Sequence, residues 1–247
     1  MEPGEYDNLE RVERDHWFYV GKRQIVRRWI ERLRPLAATD TLLDFGAGTG
    51  LFAAEMAPRC RVLALDAYPE SLAILRRRLP AAQVIEPAAG GRIPLADASV
   101  DCVTSLDVLE HLEHDASAVA EFHRVLRPGG LALVTVPASM RLWSDWDVAL
   151  RHYRRYDQRS LGALFGAGWT VEHLGYVNTF AFPFVWLLRR SRRAGAGDGR
   201  PRAEDRVPPR WLNGLLRRQF VAQGTWRRLR LPFGVGLLLV ARKSAGM

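Results

Sequence analysis

Cysteine is nearly absent: Cys60 and Cys102 are the only two, and both lie in apolar, strand-like runs. That scarcity excludes a disulfide framework and a cysteine-based metal cluster, and it fits two buried thiols in a reducing cytoplasm. Long apolar runs are missing as well. The run "FAFPFVWLL", just before the arginines of "RRSRR", has nine residues, against the roughly twenty that span a bilayer. The charged start, "MEPGEYDNLERVERDHW", has no apolar core and does not read as a secretory leader. Disorder as a general state is excluded, because 48% of the residues are hydrophobic.

Acidic residues are scarce in one stretch. Between Arg189 and Arg230, 13 arginines face only Asp198, Glu204 and Asp205, a net of +10, while the other residues set 23 basic against 24 acidic side chains, a net of −1. A nearly neutral body thus carries one strongly basic segment.

The rest reads as strands alternating with helices. "GKRQIVRRWIERL" places Ile25, Val26, Trp29, Ile30 and Leu33 at helical spacing. "TLLDF", "RVLALD", "AQVIE", "VDCVTSLD" and "LALVTVP" read as five strands, with "GLFAAEMA", "PESLAILRRRL" and "ASAVAEFHRVL" as intervening helices and "RPGG" as a turn. Such alternation predicts a parallel sheet covered by helices on both faces.

In a sheet of this kind ligands lie beyond the carboxyl ends of the strands. The first strand runs into "GAGTG". The dinucleotide register G-x-G-x-x-G fails, because Leu51 stands where the third glycine should be; the spacing is G-x-G-x-G, with Gly46, Gly48 and Gly50, preceded by Asp44. Glycine lets a backbone approach a ligand closely, and the following helix offers free N–H groups. Asp66 ends the second strand, twenty residues after Gly46, where a carboxylate can accept both ribose hydroxyls; Leu106 and Asp107 end the fourth. Ala47 and Ala67 fall on the same edge.

"LLDFGAGTG", "VLALDAYPESL", "IPLADASVDCVTSLDVLEHL" and "FHRVLRPGGLALVTVP" resemble successive motifs of the class I S-adenosylmethionine-dependent methyltransferases, strongly over about 40–137. The resemblance implies a Rossmann-like α/β fold with seven strands, the last antiparallel; "WTVEHLGYVNTF" suits the sixth and "GVGLLLVARK" the last. It implies S-adenosylmethionine as cofactor, with Asp66 on the ribose, Gly46, Gly48 and Gly50 beside the amino-acid moiety, and Leu106 in contact. "DHWFYVGKRQIV" resembles the cofactor-covering segment of the ubiquinone-type subgroup, which would set Arg23 on the cofactor carboxylate. One departure stands out. Relatives read G-D-A where this chain has Ala88, Ala89 and Gly90, so the adenine contact comes from a backbone group, comes from Glu86 after a shift, or is missing.

Methyl transfer from a sulfonium is an in-line displacement that needs alignment and exclusion of water; a hydroxyl acceptor also benefits from a base or a metal. Two segments offer candidates. "DVLEHLEHD" supplies Asp107, Glu110 and His111. It resembles the E-x-x-E-H segment that binds a divalent ion in ubiquinone-type and small-RNA methyltransferases, but its first acid is Asp and relatives without a metal share it. No metal is expected, and Asp107, Glu110 and His111 are the alternative ligand set. "LWSDWDVALRHYRRYD" supplies Asp147, His152 and Tyr153, with His152 the expected base, because imidazole titrates near neutrality, and His111 the second; both segments leave the carboxyl ends of adjacent strands, so their side chains should converge.

The domain reading is a covering helical segment over 1–38, a binding core over 39–180, a basic amphipathic insertion or lid over 181–231 and the final strand over 232–247. In the insertion "AGAGDGRPRAEDRVPPR" reads as a linker and "WLNGLLRRQFVAQGTWRRLRL" as a helix with Trp, Leu and Phe among arginines, suited to an anionic lipid surface. A lid packed on the domain is the plainer alternative, and no nucleic-acid motif is present. The expected function is methyl transfer to a small or lipid-linked hydroxyl or amine in the cytoplasm, with membrane association. The rivals are a nucleotide-binding oxidoreductase and a non-catalytic S-adenosylmethionine-binding scaffold.

Overall fold

Why this chain makes a sheet is plainest in its first strand. In a computed structural model, which describes residues 3–80, 83–192, 206–226 and 231–245, Thr41–Phe45 forms β1 and every residue of it is buried. Leu42 packs into the apolar cluster on one face, while Leu43 and Phe45 pack into the cluster on the other. The period-two alternation of a strand therefore persists inside a continuous apolar run, because both faces are covered.

Around it stand β2 (Arg61–Leu65), β3 (Val84–Ile85), β4 (Val100–Leu106), β5 (Leu126–Pro137), β6 (Trp169–Val177) and β7 (Gly236–Lys243). The order is β3-β2-β1-β4-β5-β7-β6. β1 to β5 pair in parallel, and β7 lies antiparallel to both β5 and β6. The seven-stranded Rossmann-like sheet with an antiparallel last strand is as expected. The "RPGG" turn is a correction: it belongs to β5, where pairing jumps from Val100↔Leu126 to Cys102↔Leu131 and Gly129 takes φ +79°. Residues 127–130 bulge from the strand instead of preceding it.

Two helices lead into the sheet, α1 (Pro3–Val12) and α2 (Trp17–Leu33); α3 (Leu51–Met56), α4 (Pro69–Arg78), α5 (Asp115–Val125), α6 (Asp145–Ala149), α7 (Gln158–Leu164), α8 (Phe182–Arg192) and α9 (Arg210–Thr225) follow. Ile25, Trp29, Phe52, Met56 and Leu75 fill one face of the sheet, and Phe122, Val125, Leu161 and Phe165 the other.

The basic segment is not a separate appendage. α9 packs along α2: Phe220 meets Gly21, Ile25 meets Gly224, and the Trp29 indole donates to the Gly224 carbonyl at 2.8 Å. The expected linker lies largely outside the described residues. The expected helix ends at Thr225, with Trp226 as its cap.

Candidate active site

Three glycines of positive φ bend the chain after β1: Gly46 at +71°, Gly48 at +57° and Gly50 at +73°. They differ in what they face. A Cβ on Gly46 would meet Val108 at 2.4 Å and one on Gly50 would meet Leu75 at 2.4 Å, whereas a Cβ on Gly48 would meet nothing within 4 Å. Gly46 and Gly50 permit close packing; Gly48 borders open space.

That space is a cavity of about 1540 Å³ beyond the carboxyl ends of the strands. Asp66 lies at its edge, 5% exposed. Its carboxylate accepts from the backbone N–H of Gly48 (2.9 Å), Ala67 (2.8 Å) and Tyr68 (3.0 Å), so it both fixes the glycine turn and caps the entrance to α4. Asp44 is deeper. Burial pushes its carboxyl up to about 7, and its hydrogen bond from Thr104 (2.7 Å) opposes that only in part.

The N-terminal helices close this end. Arg78, from α4, donates to Glu13 (2.9 Å), to Glu10 (3.2 Å) and to the Thr49 carbonyl (2.7 Å), while the Thr49 hydroxyl donates to Glu13. Arg23 donates to the Glu13 carbonyl and to Glu55. Tyr6 of α1 is buried close to the charge of Asp66; burial and then that charge push its phenol upward.

At the other end the cavity meets the loops after β4 and β5. Asp107 has φ +57°, is ion-paired with Lys22 and accepts from Thr135 at 2.8 Å. Burial would raise its carboxyl, but the Lys22 charge and hydrogen bond, with the Thr135 hydrogen bond, together outweigh burial and hold it low. Glu110 is 1% exposed, its carboxyl is pushed well above the usual range by burial and then by Asp107, and its Oε2 has no hydrogen-bond partner among the described residues. The rings of His111 and His152 meet edge to face at 4.6 Å between centroids. Burial and then the neighbouring His152 push His111 down to about 4. Donor atoms of Glu110, His111 and His152 lie within 4.8 Å of one another.

His152 is held from behind. Its Nδ1 lies 3.0 Å from the Asp147 carboxylate, which also accepts from Arg155 at 2.6 Å and from the Ser144 N–H at 2.9 Å. Burial raises Asp147, yet the His152 hydrogen bond and the Arg155 charge outweigh it and hold the group at about 2.

Most residues singled out by sequence border this one cavity: Arg23, Asp44, Gly46, Ala47, Gly48, Asp66, Ala67, Leu106, Asp107, Glu110, His111 and His152. Three do not. Gly50 faces Leu75, Asp147 is sealed behind His152, and Tyr153 is 55% exposed with its ring near Arg154. Asp147 lies beneath His152, away from the cavity, and Tyr153 lies on the surface. Glu86 pairs with the exposed Arg76 and does not line the cavity, whereas Pro87, Gly90 and Gly91 do. Lys22, beside the chosen Arg23, was missed, although the basic-aromatic segment pointed to that turn. Glu13 and Arg155 were missed because only tertiary structure pairs them.

A methyltransferase domain family matches residues 43–134. Malonyl-[acyl-carrier protein] O-methyltransferase of Serratia marcescens is 30% identical over 198 residues, 76% of this chain and 72% of that protein. Demethylmenaquinone methyltransferase of Chlorobaculum parvum is 40% identical over half of each chain. A Thermotoga maritima structure described as a possible histamine N-methyltransferase superposes with a TM-score of 0.62 over 98% of this chain and 96% of that one; at 17% identity it speaks for the fold alone. The chain spans about half the length of several curated relatives that it matches, from 31% to 62%. Taken with the glycine turn, Asp66 and the strand order, these likenesses establish that the chain belongs to the class I S-adenosylmethionine-dependent methyltransferase family.

Proposed function

We propose that the chain transfers the methyl group of S-adenosylmethionine to a hydroxyl on an acceptor with an apolar, lipid-like portion. The observation that carries this reading is the continuity of one cavity. Its lining joins Asp66, His111 and His152 with the apolar side chains Phe180, Phe184, Leu188, Leu212 and Leu216. A polar cofactor end and an apolar acceptor end suit a substrate with a reactive head and a greasy body. One relative is named for demethylmenaquinone and the other as an O-methyltransferase of a carrier-bound malonyl group; the second name supports oxygen as the acceptor atom, there a carboxylate's.

In the reaction the acceptor oxygen attacks the methyl carbon as the carbon–sulfur bond breaks, and the bonding pair stays on sulfur as a neutral thioether. The acceptor proton passes to His152 Nε2. Asp147 supports that step: it accepts from Nδ1–H, fixes the tautomer and stabilises the imidazolium that forms. His111, held neutral, walls the site. His152→Ala should lower turnover by about 10²–10⁴-fold with cofactor affinity nearly unchanged, read by steady-state kinetics beside calorimetry. Near-normal turnover would sink the base assignment and favour an amine acceptor.

A second reading rests on the unpartnered Glu110 oxygen beside two imidazoles. Two histidines and one carboxylate fit a divalent ion of the manganese-to-zinc series, which when bound would acidify the acceptor hydroxyl. Asp107 is outside this set, because Lys22 and Thr135 hold it. Loss of turnover on chelation, restored by added metal, would select this reading; indifference to a chelator selects the metal-free base.

A further inference from the structure

The two helices that wall the apolar end also carry an unusual outer surface. α8 (FPFVWLLRRSR) and α9 (RWLNGLLRRQFVAQGT) contain no acidic residue, and Arg190, Arg210 and Arg218 among their arginines are exposed, while Arg189 turns inward to the Leu142 carbonyl. On α9 the outward series is Trp211, Leu215, Arg218 and Ala222, spaced by four, three and four residues, while Phe220, Val221 and Gly224 face α2. A surface helix ordinarily turns its apolar side inward and its polar side to water. Here the inward side is already satisfied by α2, yet Trp211 is 73% exposed and Leu215 58%. α8 repeats the pattern with Phe184 and Leu187 outward and Arg190 one turn on, its guanidinium over the Trp186 ring at 5.4 Å.

The mouth of the cavity lies among these residues. Phe180 and Phe184 line the cavity and are nevertheless two-thirds exposed, at 67% and 69%. Aromatic and aliphatic side chains rimmed by arginine are the composition of a surface that enters the interfacial region of a bilayer and pairs with anionic headgroups. We propose that the outer faces of α8 and α9 dock on anionic lipid bilayers, with the cavity mouth against the membrane. Resting on the acceptor reading above, the docking lets an acceptor's hydrocarbon part pass from the bilayer to His152 without crossing water.

Docking and catalysis separate cleanly in the test, because Leu187, Trp211, Leu215, Arg190 and Arg218 do not line the catalytic cavity. The full chain is sedimented with vesicles of phosphatidylcholine alone and with about one-third phosphatidylglycerol, at low and high salt, while calorimetry with S-adenosylmethionine follows cofactor binding. The expected result is at least tenfold tighter association with the anionic vesicles, weakened by salt. It should be lost in Leu187→Ser/Trp211→Ser/Leu215→Ser and in Arg190→Glu/Arg218→Glu, both still binding cofactor. Equal sedimentation with both vesicles would overturn the proposal, as would wild-type sedimentation by both variants. Preference for duplex DNA over anionic vesicles would do the same. Absence of cofactor binding in every protein, with sedimentation intact, would overturn the methyltransferase reading and leave docking standing.

Discussion

Asp66 and Asp44 are both buried acids at the edge of one cavity, and their surroundings give them different tasks. Asp66 receives three backbone N–H groups, which fix its carboxylate at the cavity edge. Asp66→Ala should weaken S-adenosylmethionine binding by about 1–3 kcal/mol, the worth of charged hydrogen bonds to the ribose; unchanged affinity in calorimetry would remove Asp66 from the cofactor site. Asp44 has one hydroxyl partner and titrates near 7 instead of 3.8. Its folded pKa is raised, so its contribution to stability is fully present below about pH 4 and is lost as pH rises through about 7. Asp44→Asn should therefore stabilise the ligand-free protein above pH 7 by up to about 4 kcal/mol and change little at pH 4. Denaturant titrations at the two pH values check this, and a gain that is independent of pH would contradict it.

At the scale of elements, the glycines of α9 show how local sequence and tertiary contact divide the work. Gly224 presses on Ile25, where a Cβ would sit 2.4 Å from Cδ1, while Gly214 faces open space. Gly224→Leu should therefore cost about 1–3 kcal/mol by overpacking the α2–α9 contact, whereas Gly214→Ala should gain about 0.5–1 kcal/mol from helix propensity. Thermal unfolding of the two variants distinguishes them, and equal shifts would mean that α9 is not docked on α2. The sequence alone announces neither difference, since both residues are simply glycine in an amphipathic run. The strands were more legible. Buried parallel strands are short runs rich in apolar residues between turns, and "TLLDF" and "VDCVTSL" fit that pattern even with Thr41, Asp44, Asp101, Thr104 and Ser105 buried among them. The glycine turn and Asp66 were legible for a related reason, because their spacing is fixed by one strand and one helix. For the histidine pair the segments were legible, since they follow adjacent strands and were expected to converge, but the ring contact itself was not. His111 and His152 are 41 residues apart, and only the side-by-side pairing of β4 with β5 brings the loops that carry them together. Likewise the "RPGG" bulge became visible only through its pairing partner, Val100.

For the molecule as a whole, α2 is the member that faces two ways. Through Gly21, Ile25 and Trp29 it is pressed against α9, whose outer side is the proposed membrane face. Through Lys22 and Arg23, on the same turns, it reaches Asp107 at one end of the cavity and Glu13 and Glu55 at the other. No flexible connector lies between these contacts; they share about three helical turns. Linkage then imposes a reciprocity that needs no knowledge of the path. If seating α9 on a bilayer tightens the cofactor's hold by some factor, the bound cofactor must tighten the hold on the bilayer by the same factor. Release of the spent cofactor would then loosen the enzyme from its surface, and the membrane itself would act as an effector of cofactor binding as well as the source of the acceptor.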